Sequence, residues 1–174
     1  MSAPPQPPQI TNAQELLLKQ LGKLITIEET LARTVLPKLK QQAQDEQLKQ
    51  AFADHLEQTR GHADNVRAAF AGLGASVSGG EDPVLDAAKR DREETVEKLA
   101  PALREGFNAS AAMGTEHHEI AEYEAAIRLA DALGHEGVAT LLRANLGEEV
   151  DALEQLGRHA TRLANQGAKE PAVR

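Results

Sequence analysis

The chain has 174 residues, of which 41% are hydrophobic, but it contains only three Phe, one Tyr and no Trp. Its net charge of −8 provides no basic surface for nucleic acid or anionic lipid. Because there is no Cys, disulfides and thiolate sites are excluded and any metal must be bound by oxygen and nitrogen. No signal segment and no apolar run of about 20 residues occurs, so we expect a cytoplasmic protein without nucleic-acid or membrane partners.

Between two unstructured tails the sequence predicts only helices. Residues 1–10 are Pro-rich and predict a disordered tail, and residues 166–174 predict a flexible one. In the intervening chain, apolar residues recur at steps of three and four, which is typical of amphipathic helices. The four long predicted helices span 12–44, 45–73, 101–133 and 136–165. Pro37 predicts a kink in the first of them.

A long connection separates the second and third predicted helices. Residues 75–83 predict a loop, and the charged segment 86–98 that follows Pro83 predicts a short helix. Four long helices with one long crossover are typical of ferritin-like topology rather than of a simple up-and-down bundle. The predicted fold class is therefore all-α, a ferritin-like four-helix bundle over 11–165 with a long crossover and one additional short helix.

Ionisable residues interrupt the apolar stripe of every long helix near its middle. They are Glu28 or Glu29, His55 and His62, Glu116, and Glu149. Glu119 lies on the same helix face as Glu116 because the two are three residues apart. Several buried carboxylates repel one another and need protons, cations or a metal, and no Lys or Arg lies on these stripes. The pattern predicts a carboxylate-rich metal site in the bundle core.

Each of these residues also has a purely structural interpretation. Whichever of Glu28 and Glu29 faces outward is solvated. A buried His55 or His62 is compatible with a neutral imidazole that bonds to a neighbouring group. Glu119 is compatible with the edge of a solvated face, since charged residues crowd the same turns. The metal interpretation therefore depends on several helices carrying such residues at the same level.

Several segments resemble one known family. TEHHEIAEYEAAIRLADALG at 115–134 resembles the signature helix of the YciF-like ferritin-like stress proteins, and FADHLEQTRGHADNVRAAFAGLG at 52–74 also resembles that family. LPK at 36–38 and LGEEVDAL at 146–153 fit the same pattern. The resemblance runs over most of 15–160. It implies a dimeric bundle with an added short helix, related to rubrerythrins and built around a two-metal site.

The resemblance also implies which residues bind the metals. Glu116 and Glu119 match the paired carboxylates of rubrerythrin-like sites, and Glu149 matches the carboxylate of the fourth helix. In the second helix, Thr59 stands where ferritins usually have the Glu of a Glu-x-x-His pair. His62 is therefore the predicted ligand of that helix.

The acid of the first helix is ambiguous. Counting back from Leu36 and Pro37 gives Glu29, whereas counting forward from the pattern that begins at Leu21 gives Glu28. We prefer Glu29 on this resemblance. The predicted metal ligands are then Glu29, His62, Glu116, Glu119 and Glu149.

The function that the resemblance favours is a stress-response protein with two irons per chain, or manganese or zinc, that reacts with peroxide or oxygen. Glu116 is predicted to bridge the metals, and Tyr123 is either a core residue or a hydrogen-bond donor to the site. Electrons would come from a separate protein. The alternative is a non-catalytic, dimeric structural protein with a vestigial metal site. Two departures from the family pattern favour this alternative, namely Thr59 and Leu153, the latter at a position that is often acidic in relatives. Iron storage in a cage is a third interpretation.

Overall fold

The computed structural model describes residues 9–169, and every regular element in this range is a helix. The helices are α1 (Ala13–Thr30), a π-helical turn (Leu31–Val35), α2 (Leu36–Gln42), α3 (Glu46–Gly72), α4 (Pro83–Lys98), α5 (Pro101–Ala132) and α6 (Glu136–Gly167). Most of both predicted tails, residues 1–8 and 170–174, lies outside the described residues. The last helix continues two residues past the predicted boundary at 165.

Local sequence explains where the helices begin and end. The side chains of Asn12, Asp45 and Asp82 each accept a backbone N–H from the first turn of the following helix, which satisfies donors that have no partner within the helix. Gly74 and Gly134 have φ of +65° and +74° just after α3 and α5. Glycine tolerates this left-handed conformation, so it ends these two helices.

The first long helix accommodates Pro37 by a change of winding. Leu36 donates its backbone N–H to the carbonyl of Leu31, five residues earlier. Proline has no N–H to donate and its ring clashes with the carbonyl four residues before it, so a wider turn just ahead of Pro37 relieves both problems. The predicted kink is thus a π-helical turn that leads from α1 into α2.

The helices form the predicted ferritin-like bundle. Asp45 at the start of α3 binds Arg162 near the end of α6 at 2.6 Å, and Asn65 near the end of α3 donates to Asn145 in the first half of α6 at 2.7 Å. Helices α3 and α6 are therefore antiparallel. Because α5 and α6 are joined by a short turn, α3 and α5 run parallel, and the connection through α4 crosses the bundle. The fold-class prediction is confirmed.

The core contains two apolar clusters, one including Leu21 and Phe70 and the other including Phe52 and Leu156. Between them, on each long helix, lies a layer of buried polar side chains. These are Glu28, His55, Thr59, His62, Glu116, Glu119, Asn145 and Glu149. Within 9–169, no helix combines the length and the apolar character that a membrane span requires.

Candidate metal centre

Four helices bring six ionisable side chains together in the middle of the bundle. Each of these residues is at most 5% exposed. Residues 55 and 62 are two turns apart on α3, and residues 116 and 119 are one turn apart on α5, so each pair shares one helix face. The six residues are Glu28, His55, His62, Glu116, Glu119 and Glu149.

The six side chains form two groups with the spacing of metal ligands. One group contains His55, Glu116, Glu119 and Glu149, and the other contains Glu28, His62 and Glu149. Within each group, one potential ligand atom per residue lies within 4.8 Å of all the others. Four helices thus form two adjacent groups that could each hold a metal ion and that have one residue in common.

Glu149 is the residue that the two groups share. One of its carboxylate oxygens is 2.8 Å from Nδ1 of His62, and the other is 3.8 Å from Nε2 of His55. Each oxygen therefore faces a different group. Glu116, the predicted bridging residue, belongs to one of the two groups, and its bridging role stays a prediction.

Nine buried nitrogen and oxygen atoms in the described part of the chain have no hydrogen-bond partner, and all nine belong to the six clustered side chains. Leaving such an atom unpaired costs about 1–3 kcal/mol. Nδ1 of His62 and Oε1 of Glu149 approach to 2.8 Å without hydrogen-bond geometry. Atoms that converge without bonding to each other have the arrangement of ligands around a common ion.

The electrostatics of the cluster favour added positive charge. Burial and neighbouring carboxylates raise the pKa of Glu119 well above its usual value, and burial chiefly raises that of Glu149 to about 7. Burial lowers the pKa of His55, but the Glu116 and Glu149 carboxylates together outweigh this effect and raise the pKa to about 9. Four carboxylates and two neutral imidazoles balance the charge of two divalent cations.

The preference for Glu29 over Glu28 is wrong about which side chain faces inward. Glu29 has a side chain 31% exposed and binds Arg67 at 2.7 Å and Arg33 at 3.3 Å on the bundle surface. Glu28 is fully buried and accepts a hydrogen bond from the Tyr123 hydroxyl. The π-helical turn adds one residue between the acid and Leu36, so counting back along a regular helix stops one residue too early.

The other predicted ligands, His62, Glu116, Glu119 and Glu149, all lie in the cluster. The sequence analysis noted His55 on the stripe but left it out of the ligand set, and the structure places it beside Glu116 at 3.3 Å. Thr59 uses its hydroxyl to bond the backbone carbonyl of His55. Although position 59 carries no Glu, the cluster contains four buried carboxylates, because Glu119 supplies the fourth.

Tyr123 and Asn145 hold the cluster from one side. The Tyr123 hydroxyl donates to Glu28, and the Asn145 amide donates to the Tyr123 oxygen at 2.9 Å and to the backbone carbonyl of His62 at 3.2 Å. Four helices, α1, α3, α5 and α6, are tied together by this network, and it fixes the Glu28 carboxylate. Asn145 lies four residues before Glu149 on the same helix face, which is the signal that would have identified it.

Glu148 is a functional candidate that the sequence analysis missed. Its carboxylate is 3.0 Å from Nε2 of His62, and half of its side chain is exposed. A carboxylate at this nitrogen keeps the proton there and leaves Nδ1, on the other side of the ring, free to bind a metal. Glu148 adjoins the stripe rather than lying on it, so periodicity gives no indication of this role.

We expect the Glu148→Ala substitution to weaken metal binding by about 10–100-fold, because the imidazole of His62 loses the group that orients it. The measurement is a titration of the metal-free protein with zinc in competition with a chromophoric chelator. Glu154→Ala, which removes an exposed acid from the same helix, is the matched control. Equal zinc affinity in both variants would contradict the orienting role.

Comparison with known proteins agrees with this architecture. Protein YciF of Escherichia coli is 28% identical over 138 residues, which are 78% of this chain and 82% of that protein. The crystal structure of the E. coli stress protein YciF matches with a TM-score of 0.83 at 26% identity, covering 90% of this chain and 99% of that one. YcfI from Rhodopseudomonas palustris, for which a structural role has been suggested, matches with a TM-score of 0.82 at 31% identity, covering 85% and 94%.

These relatives confirm the YciF-like resemblance that segments 115–134 and 52–74 indicate. The family described as a domain of unknown function, DUF892, matches residues 12–169, which is nearly the whole bundle and all six clustered side chains. The resemblance to the YciF-like stress proteins agrees with this match. The chain is therefore a member of the DUF892 family.

Proposed function

We propose that this chain binds two iron ions in the bundle core and uses them to reduce hydrogen peroxide or oxygen during stress. One observation carries the proposal: all nine unpartnered buried polar atoms of the described chain converge from six side chains on one place. Without cations, these atoms would make the centre of the core its least stable part.

The donor set fits iron. Carboxylate oxygens combined with imidazole nitrogens suit iron, manganese or zinc, whereas calcium and magnesium prefer oxygen alone. His62 and Glu28 would hold one ion, His55 with Glu116 and Glu119 would hold the other, and Glu149 would contact both. A mostly carboxylate set with one imidazole per ion, supplied by four facing helices, is the arrangement that bundle proteins use for di-iron centres.

When bound, the pair of ferrous ions would supply the two electrons that, with two protons, reduce hydrogen peroxide to two water molecules. The protein's own part is to orient the ligands and to move protons. Tyr123 holds the Glu28 carboxylate in place, and Glu148 accepts a hydrogen bond from Nε2 of His62 while half of its own side chain reaches solvent. The proposal thus includes a proton path at the His62 end of the centre.

The proposal includes partners as well. A chain with no Cys carries no iron–sulfur or rubredoxin-type group, so a separate protein has to return the ferric ions to the ferrous state. We also propose a cytoplasmic homodimer, as the family resemblance implies. The stress role is supported by the E. coli relative, which is described as a stress protein.

A structural protein without metal is the second candidate. It is favoured by the close approach of His55 to Glu116, at 3.3 Å, and by the raised pKa values of His55 and His62, about 9 and about 10. Protonated imidazoles would then neutralise part of the carboxylate charge. The structural role suggested for the R. palustris relative is compatible with this reading.

The metal content of protein produced with added iron tests the two candidates against each other. Plasma mass spectrometry should give about two irons per chain for the parent and for Glu29→Gln, whose side chain lies on the surface, but at most one for Glu28→Gln. Anaerobic ferrous protein should then oxidise when hydrogen peroxide is added, which is followed by absorbance. A stable parent that takes up no iron would support the structural candidate instead.

A further inference from the structure

A small cavity adjoins the His55 end of the candidate metal centre. His55 and Glu116 line its inner side, and Ala51, Ala112 and Ala152 line its walls. Its volume is about 10 Å³, which is close to the smallest space that holds one water molecule. The cavity therefore lies directly against two of the candidate ligands.

Three different helices contribute the alanine walls. Ala51 precedes His55 by four residues, Ala112 precedes Glu116 by four, and Ala152 follows Glu149 by three. Each alanine thus lies one helical turn from a candidate ligand and toward the same end of the bundle. Because each side chain is a single methyl group, the space beside the ligands stays open where any larger apolar residue would fill it.

The cavity adjoins a groove on the surface. A groove of about 670 Å³ between α3 and α6 is lined by polar and charged residues such as Gln50, Asp54 and Arg158. Two residues, Ala51 and Gln155, line both the groove and the inner cavity. Gln155 is exposed, so one of the residues that line the inner cavity also reaches the surface.

The chemistry of the cavity selects what enters it. His55 and Glu116, which line the cavity, both carry buried polar atoms that have no hydrogen-bond partner in the described residues. The walls are apolar, which disfavours ions because they would lose their hydration. A small uncharged molecule with a donor and an acceptor close together, such as hydrogen peroxide, satisfies both conditions, whereas an alkyl hydroperoxide is too large.

We propose that this cavity is the entry port for hydrogen peroxide and that Ala51, Ala112 and Ala152 set the size limit for what reaches the centre. The inference rests on the proposed function and specifies its substrate class. In this proposal the oxidant reaches the centre on the side of His55, and protons reach it on the side of His62 and Glu148.

Narrowing the port should slow the oxidant without removing the metal. Ala152→Val is the test variant, and Ala160→Val is its matched control, since Ala160 lies on the same helix with nearly equal exposure, 8% against 7%, but does not line the cavity. In iron-loaded protein with equal iron content, we expect Ala152→Val to react with hydrogen peroxide about tenfold more slowly, and the control to match the parent. The parent should react with tert-butyl hydroperoxide about 100-fold more slowly than with hydrogen peroxide.

A second readout needs no metal. In metal-free protein with ¹³C-labelled alanine methyl groups, nuclear Overhauser effects from water should reach Ala112 in the parent and in Ala160→Val, and should vanish in Ala152→Val. Should Ala152→Val not fold, Ala112→Val, on α5, repeats the experiment with the methyl group of Ala152 as the reporter. The proposed port would be wrong if the parent gave no water signal, or if the signal persisted in both Ala152→Val and Ala112→Val.

The two readouts separate this inference from the proposed function. If iron-loaded parent consumes no peroxide while the water signals follow the expected pattern, the proposed function fails and the port for small uncharged molecules is supported. If Ala152→Val and Ala112→Val consume peroxide as fast as the parent, the port is wrong although the centre is active.

Discussion

Glu149→Gln is expected to remove both metal ions from the centre, whereas Glu28→Gln should remove only one. Glu149 belongs to both ligand groups, with one carboxylate oxygen toward His62 and the other toward His55. Gln has nearly the same shape but carries no charge and only one acceptor oxygen. The substitution therefore takes one negative charge away from both sites and leaves the packing of α6 unchanged.

The measurement is metal content together with a ferrous titration of the metal-free variants. We expect about two ions per chain for the parent, about one for Glu28→Gln and none for Glu149→Gln at equal free iron. Circular dichroism should show the same helix content for all three proteins. Retention of one full equivalent by Glu149→Gln would mean that the two sites are independent and that Glu149 is not shared.

Glu119→Leu should make the metal-free protein more stable and the metal-loaded protein less so. Glu119 is fully buried, neither of its carboxylate oxygens has a hydrogen-bond partner among the described residues, and its pKa is raised well above the usual value. Replacing buried charged groups by apolar ones of similar volume often stabilises a protein by about 1–4 kcal/mol. We expect a gain of this size in the free energy of unfolding after treatment with a chelator.

Metal reverses the order of stability. Ligands that bind only the folded protein raise its free energy of unfolding, by about 4 kcal/mol when present at 1,000 times their dissociation constant. The parent should gain this stabilisation from iron or zinc, and Glu119→Leu should lose much of it because a ligand is missing. Thermal unfolding with and without zinc measures both. A variant less stable than the parent in the presence of chelator would contradict the charge argument.

The fold was predictable from the sequence because the hydrophobic periodicity is regular. Four long amphipathic segments and one charged crossover predicted the topology, and the helices α3 and α5 end within one residue of their predicted boundaries at 73 and 133. The position of the candidate site along the length of the bundle was also predictable, because an ionisable residue within each apolar stripe has to lie in the core. These features depend only on which helix face a residue occupies.

The errors arose where local geometry departs from a regular helix or where a contact crosses between helices. Glu28 was exchanged for Glu29 because the π-helical turn cannot be read from periodicity. Glu148 was missed since its role depends on the position of His62 on another helix. The sharing of Glu149 between the two groups likewise depends on how α3 and α6 pack. Such relations appear only in three dimensions.

The π-helical turn at Leu31–Val35 also indicates where this family can gain or lose a residue in evolution. A single insertion into a helix is absorbed when one turn widens, so the flanking segments keep their faces. In a relative that has no proline at position 37, shortening this turn by one residue would let α1 and α2 join as a regular helix while Glu28 stays inside. Alignments with such relatives should therefore place a one-residue gap between Glu28 and Leu36, since without it the buried acid would be matched to a surface one.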